Sequence, residues 1–229
     1  MEHPTTPGTP HIHLVRPAPR GLCAAVGQAR LGVLGGAYNP ITLAHLAAAD
    51  TARRTFDLHE VLLLLPEVPP HKTIFGASLE QRLAMMQLAV HNLDYAAVGL
   101  STHGLFLDIY HGLQEVYPQH PEVFFITGRD AAERILTWEY TDTTAALQQM
   151  FTAFQLIVCD RDGAFRLPDD PRLSPYQHRL HRCVLPTRYN DISSSLVRQR
   201  CQQRLPLDDL VPAAVASYIQ EHGLYTAVE

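Results

Sequence analysis

Residues 29–46, ARLGVLGGAYNPITLAHL, constrain the fold more than any other stretch of the chain. The apolar run at 31–34 reads as a short strand, Gly35 and Gly36 as a turn, and the alanine-rich segment from Leu43 as the start of a helix. These are the parts of a phosphate site. Glycine lacks a Cβ, so the backbone can take positive φ and let a bulky anion approach. The first turn of the helix adds N–H groups that have no partner inside it. Pro40 stiffens the entry. Thr42 and His45 stand three apart, which puts a hydroxyl and an imidazole on one face of a first helical turn. An ordinary strand, turn and helix with an ordinary histidine would read the same way, since short motifs recur by chance.

The rest of the chain decides which sheet this strand joins. EVLLLLPE at 60–67 is continuously apolar and too short for a helix, as expected of a strand buried on both faces of a parallel sheet. The paired Pro69 and Pro70 then force an extended loop that carries His71 and Lys72 away from its carboxyl end. Ser78 and Gln81 form a capping box for an amphipathic helix, on which Arg82 reads as part of a solvated face. Strands follow at 96–101, 122–128 and 155–159, with helices between them at about 105–117 and 141–154. Residues 160–177 read as a surface loop, 183–187 as a last short strand, and two helices end the chain. The alternation predicts an α/β fold: a Rossmann-like doubly wound parallel sheet with a small C-terminal helical region. Residues 1–28, with prolines at 4, 7, 10, 17 and 19, read as a flexible N-terminal extension; 29–190 form the main domain and 191–229 a C-terminal helical segment. In such sheets a ligand binds outside the carboxyl ends of the strands, where strand order reverses. The strand ending in Gly35-Gly36 lying beside the one ending in Gly128-Arg129-Asp130 would create that reversal.

Charge and cysteine usage exclude several alternatives. A net charge of −5 argues against a broad nucleic-acid surface, which needs a basic face. Among 18 basic residues Lys72 is the only lysine, so a compact ammonium is kept where every other cation is arginine. The four cysteines, Cys23, Cys159, Cys183 and Cys201, show no CxxC spacing, and no apolar run approaches the roughly 20 residues of a membrane span. A reduced, cytoplasmic protein without membrane partners is expected. His178, His181 and Cys183 lie close together without a fourth ligand at zinc spacing, so no resident metal site is expected.

GGAYNPITLAH resembles the GG-x-F-(D/N)-P-x-(H/T)-x-x-H signature of the nucleotidylyltransferase superfamily, which includes the nicotinate- and nicotinamide-nucleotide adenylyltransferases. Three further stretches resemble the same family in the same order: PPHK at 69–72, ITGRDAAERILTW at 126–138 and DISSSLVRQR at 191–200, the last similar to ISSTxxR. LVPAAVASYIQEHGLY resembles the family's C-terminal helix, so the likeness covers nearly all of 30–225. The resemblance implies attack of a mononucleotide's 5′-phosphate on the α-phosphorus of ATP, with Mg²⁺ arriving on the triphosphate. It implies that Thr42, His45, Lys72 and Arg198 grip phosphate oxygens as the catalytic groups. Gly35, Gly36, Ala37, Tyr38, Ile192, Ser193 and Ser194 would line the ATP, and the 191–229 segment would complete its site. Gly128, Asp130 and Trp138 would serve the acceptor, the tryptophan by stacking on its pyridine ring. Where the family has SYTxDT, this chain has Gly104-Leu-Phe-Leu-Asp108-Ile, which keeps only the aspartate. The acceptor therefore stays open between nicotinate mononucleotide, nicotinamide mononucleotide and another phosphorylated compound, beside a non-catalytic nucleotide-binding paralogue. Oligomeric state and the role of residues 1–28 are not set by the sequence.

Overall fold

The structure, a computed structural model, describes residues 8–22, 25, 27–67, 75–138, 140–160, 165–166 and 168–226. Its strands are β1 (Ile12–Arg16), β2 (Arg30–Gly35), β3 (Glu60–Pro66), β4 (Ala96–Ser101), β5 (Glu122–Gly128), β6 (Gln155–Asp160) and β7 (Leu180–Val184). They form one sheet in the order β1-β4-β3-β2-β5-β6-β7, parallel throughout except for the antiparallel β1–β4 pair. The helices are α1 (Leu43–Thr55), α2 (Leu79–Ala89), α3 (Phe106–Val116), α4 (Arg129–Leu136), α5 (Thr143–Ala153), α6 (Ser194–Gln202) and α7 (Ala213–Glu221). No helix among the described residues is long and apolar enough to cross a membrane.

Period-two alternation along the strands sorts the core into two sides. Leu31, Val33, Leu62, Leu64, Val123, Phe125, Leu156 and Val158 meet residues of α3, α4 and α5 on one face. Leu63, Leu65, Val98, Ile126 and Ile157 face the other way, toward α1, α2, α6 and α7. On that face α1 presents Ala44, Ala48, Ala49 and Ala52, small enough for the helix to lie close to the sheet. Chain growth runs outward from β2 through β3 to β4, then returns to β5 on the other side of β2 and runs outward again. β2 and β5 pair directly, with Leu34 opposite Ile126, so the reversal lies between the two glycine-ended strands as the sequence implied.

Three elements differ from the sequence reading. Within the supposed extension, Ile12–Arg16 is an edge strand whose Ile12 is buried beside Gly112 of α3. The residues flanking it are proline- and histidine-rich, which hides a five-residue alternation. The last strand is Leu180–Val184 rather than 183–187, because Pro186 cannot join a ladder. Part of the supposed loop, Pro171–Arg179, is a 3-10 helix capped by Asp170, whose side chain accepts from Arg172 N.

At the amino end of β3, far along the strand from its carboxyl tip, Glu60 is buried and accepts from Tyr117 Oη at 2.5 Å and Leu22 N at 3.1 Å. Burial raises its carboxyl above the ordinary 4.5, more than these two bonds lower it. A raised carboxyl contributes stability while protonated, and loses that contribution as pH climbs through its folded value. Glu60→Gln cannot ionise, so its stability relative to wild type should rise as pH climbs above the ordinary carboxylate value of 4.5, read by urea unfolding across a pH series. A difference that is flat with pH would show that Glu60 does not titrate in this range.

Candidate active site

The turn between β2 and α1 is built by side chains that reach it from two other elements, α2 and α6. The carbonyl oxygen of Ala37 accepts from Arg82 Nη1 of α2 at 2.8 Å, that of Asn39 from Arg198 Nη1 of α6 at 2.9 Å, and that of Pro40 from Ser194 Oγ at 2.7 Å. Tyr38 Oη donates to Leu34 O. Carbonyls that would repel an anion are thereby engaged elsewhere. The C-terminal guanidinium and the glycine turn do converge, although the two lie about 160 positions apart in sequence, as the 159-residue separation of Arg198 and Asn39 records.

Several expectations change in detail. Neither Gly35 nor Gly36 has positive φ; the left-handed residue is Tyr38, at φ 42°. What the glycines supply is room. A Cβ on Gly36 would come within 3.2 Å of the Tyr38 ring, whereas one on Gly35 would meet nothing within 4 Å. Gly128, the glycine at the tip of neighbouring β5, opens onto the same kind of space, with nothing within 4 Å of its Cβ position. The start of α1 is also less available than the motif suggests. Thr42 N donates to His45 Nδ1, Leu43 N to Leu210 O and Gly36 N to Leu64 O. The N–H groups of Ser194 and Ser195, by contrast, carry no hydrogen bond among the described residues. Ser193 caps α6 by accepting from Leu196 N, and Ile192 is buried behind it. The helix start best placed to receive an anion is therefore that of α6.

His45 is held in one orientation. Its Nδ1 lies 3.0 Å from Thr42 N and 2.8 Å from Thr42 Oγ1. A backbone N–H can only donate, so Nδ1 accepts, and the ring is the neutral tautomer with its proton on Nε2. Tyr38 meets the imidazole edge-on, ring centroids 5.2 Å apart, and is itself 2% exposed. Thr42 and His45 could be mistaken for a nucleophile and its base, but Thr42 is 0% exposed and out of a substrate's reach. Its hydroxyl orients the imidazole. Arg198 is half-buried, and its Nη2 also reaches Ser195 Oγ at 3.4 Å. Of the residues expected to serve the acceptor, Gly128 caps α4, Asp130 in its first turn has a side chain 89% exposed, and Trp138 is half-buried just past the helix. Lys72 and its neighbours at 68–74 lie outside the described residues. At 104–109 the place of the family's hydroxyls is taken by Phe106, stacked on Phe125 in the core with centroids 4.3 Å apart.

Two residues escaped the sequence reading. Arg82 is 3% exposed, not solvated, and burial pulls its guanidinium below the ordinary arginine range. Its spacing of three and four from the buried Met85 and Met86 was the available signal, since those positions share a helix face. The other is Tyr225, whose Oη donates to Asn39 Oδ1 at 2.8 Å while Asn39 Nδ2 donates to Phe75 O at 2.9 Å. The Tyr225 ring fills the space above Gly76, where a Cβ would come within 2.6 Å of it. Burial raises its phenol, keeping it a neutral donor. Tyr225→Phe leaves Asn39 Oδ1 without this donor and should lower stability by about 1–2 kcal/mol, with a fewfold rise in nucleotide KM. Thermal melting and kinetics together check it; an unchanged melting point would mean the bond contributes nothing.

The hydroxyls at this turn are committed to capping, to carbonyls or to the His45 ring, and what remains is a set of donors, the chemistry suited to phosphate in a nucleotidylyltransferase. The chain belongs to the cytidylyltransferase-like family, whose sequence pattern matches residues 33–200. It is 33% identical over 208 residues to a probable nicotinate-nucleotide adenylyltransferase of Dehalococcoides mccartyi, covering 86% of this chain and 97% of that one. It is 31% identical over 211 residues to the protein of that name in Bordetella pertussis, covering 87% and 100%. The fold is similar to that of Plasmodium falciparum nicotinic acid mononucleotide adenylyltransferase complexed with NaAD, with a TM-score of 0.66, 19% identity, and coverage of 86% and 97%.

Proposed function

We propose that this chain is an adenylyltransferase that joins ATP to nicotinate mononucleotide, releasing pyrophosphate and forming the dinucleotide in NAD biosynthesis. The observation that carries the reading is the convergence of α6, through Ser194 and Arg198, on the Pro40 and Asn39 carbonyls of the glycine turn. Relatives named for this activity span nearly the whole chain. A phosphate oxygen of the mononucleotide attacks the α-phosphorus, one P–O bond forms, the α–β bridging bond breaks, and the electron pair leaves on pyrophosphate. The attacking group is already an anion, so alignment and charge neutralisation do the work.

In this reading His45 Nε2–H and the open N–H groups of Ser194 and Ser195 donate to the triphosphate, and Arg198 and Lys72 add charge. Gly35 and Gly128 leave the room into which the nucleotides fit, between Ala37-Tyr38 on one side and Ile192-Ser193 on the other. Asp130 accepts from ribose hydroxyls, and Trp138 stacks on the pyridine ring. Mg²⁺ comes with the ATP. The donors here are imidazole, amide and guanidinium, and among the described residues no three His, Cys, Asp or Glu side chains gather to hold an ion. Phosphate oxygens would therefore carry it. A reduced cytoplasmic setting suits Cys159, Cys183 and Cys201, which are buried as cysteines and not in disulfides.

The test is pyrophosphate release from ATP across a panel of phosphorylated acceptors. Nicotinate mononucleotide should be the best substrate, ahead of nicotinamide mononucleotide. The core-facing Phe106 is the reason to include others, because it removes hydroxyls that could discriminate acceptors. Release with neither mononucleotide but with a third acceptor would reassign the substrate; ATP binding with no release from any would make the chain a binding protein.

A further inference from the structure

Arg82 is a charge that the reaction above does not use. Its side chain is 3% exposed, yet among the described residues it makes a single hydrogen bond, Nη1 to Ala37 O, and its Nε is buried without a partner. No carboxylate among the described residues pairs with it. Glu80, the acid nearest in sequence, is turned to Ser78 Oγ at 2.7 Å. Arginine keeps its proton at any physiological pH, and a buried cation without a counter-ion destabilises a fold. Packing does not ask for the charge, since Met85 and Met86 fill the same face with neutral side chains.

The guanidinium sits behind the turn. In a trans peptide the C=O and N–H point opposite ways, so the bond to Ala37 O directs the N–H of Tyr38 away from Arg82. That N–H has no partner among the described residues. A cation on the carbonyl also polarises the peptide and strengthens the donor at its other end. We propose that Arg82 is a positioning residue for the nucleotide's phosphates: it fixes and polarises the Ala37–Tyr38 peptide so that Tyr38 N–H meets the anion, and the anion brings the counter-charge that the guanidinium lacks. The inference rests on the turn being the ATP phosphate site, and not on which mononucleotide accepts.

The experiment compares the full-length wild type with Arg82→Met and Arg82→Lys, by thermal melting without ligand and by titration with ATP and with inorganic pyrophosphate. Arg82→Met should melt no lower than wild type in the absence of ligand, yet bind ATP about tenfold or more weakly. Arg82→Lys, which keeps the charge, should restore most of the affinity, and the KM for ATP should follow the binding. A merely structural arginine gives the opposite: a lower melting point and affinities within about twofold of wild type, which would overturn the proposal. If the wild type binds neither ATP nor pyrophosphate, the phosphate site itself fails and this inference with it. If wild type and Arg82→Met bind equally, only the inference fails.

Discussion

Replacing His45 by alanine lowers turnover about a hundredfold or more while the chain stays folded. The change removes the Nε2–H that the fixed tautomer presents, a donor whose bond, in the proposed mechanism, would strengthen as charge moves onto pyrophosphate. It also removes the acceptor that Thr42 N uses at the start of α1, so stability should fall by about 1 kcal/mol. His45→Gln separates the two effects. A glutamine at the third helical position can accept from the capping residue's N–H, as in an ordinary capping box, so it should recover the stability but not the rate. Pyrophosphate release measured beside far-ultraviolet circular dichroism and melting decides the matter. Turnover within a few-fold of wild type in either variant would remove the imidazole from the mechanism.

Gly35→Val should act in the reverse sense, abolishing function without harming the fold. Gly35 ends β2 with ordinary φ, and no atom lies within 4 Å of its Cβ position. A side chain there starts in open space, and a β-branched residue suits a strand end better than glycine. Unfolding free energy should stay level or rise slightly. If the nucleotide occupies that space, turnover falls about a hundredfold or more, because displacement of a reacting group by even an ångström is that damaging. A stable variant with normal activity would move the nucleotide away from the end of β2.

How much of this was legible beforehand follows from how local each signal is. β3 and β5 were readable because strands covered on both faces consist almost wholly of apolar residues, as in VLLLL and VFFI. β1 was not, since an edge strand flanked by prolines needs only Ile12 to be buried and otherwise resembles a loop. In the site, the glycine turn and His45 lie together in the chain and could be seen together. The capture of Leu43 N by Leu210 O could not, because nothing near Leu43 announces a carbonyl 167 positions later. Arg82 was misjudged for a related reason. A charge in a first helical turn is usually solvated, and this one is drawn inside by the Ala37 carbonyl, 45 positions away in sequence.

The bond from Tyr225 to Asn39 joins residues separated by 186 positions. During synthesis the ribosome makes the tyrosine that secures the glycine turn long after the turn itself. A nascent chain can thus assemble its sheet and still hold an unsecured glycine turn until Tyr225 has emerged. Any change that disturbs residues 223–226 would act at the glycine turn, however remote the two look in the sequence.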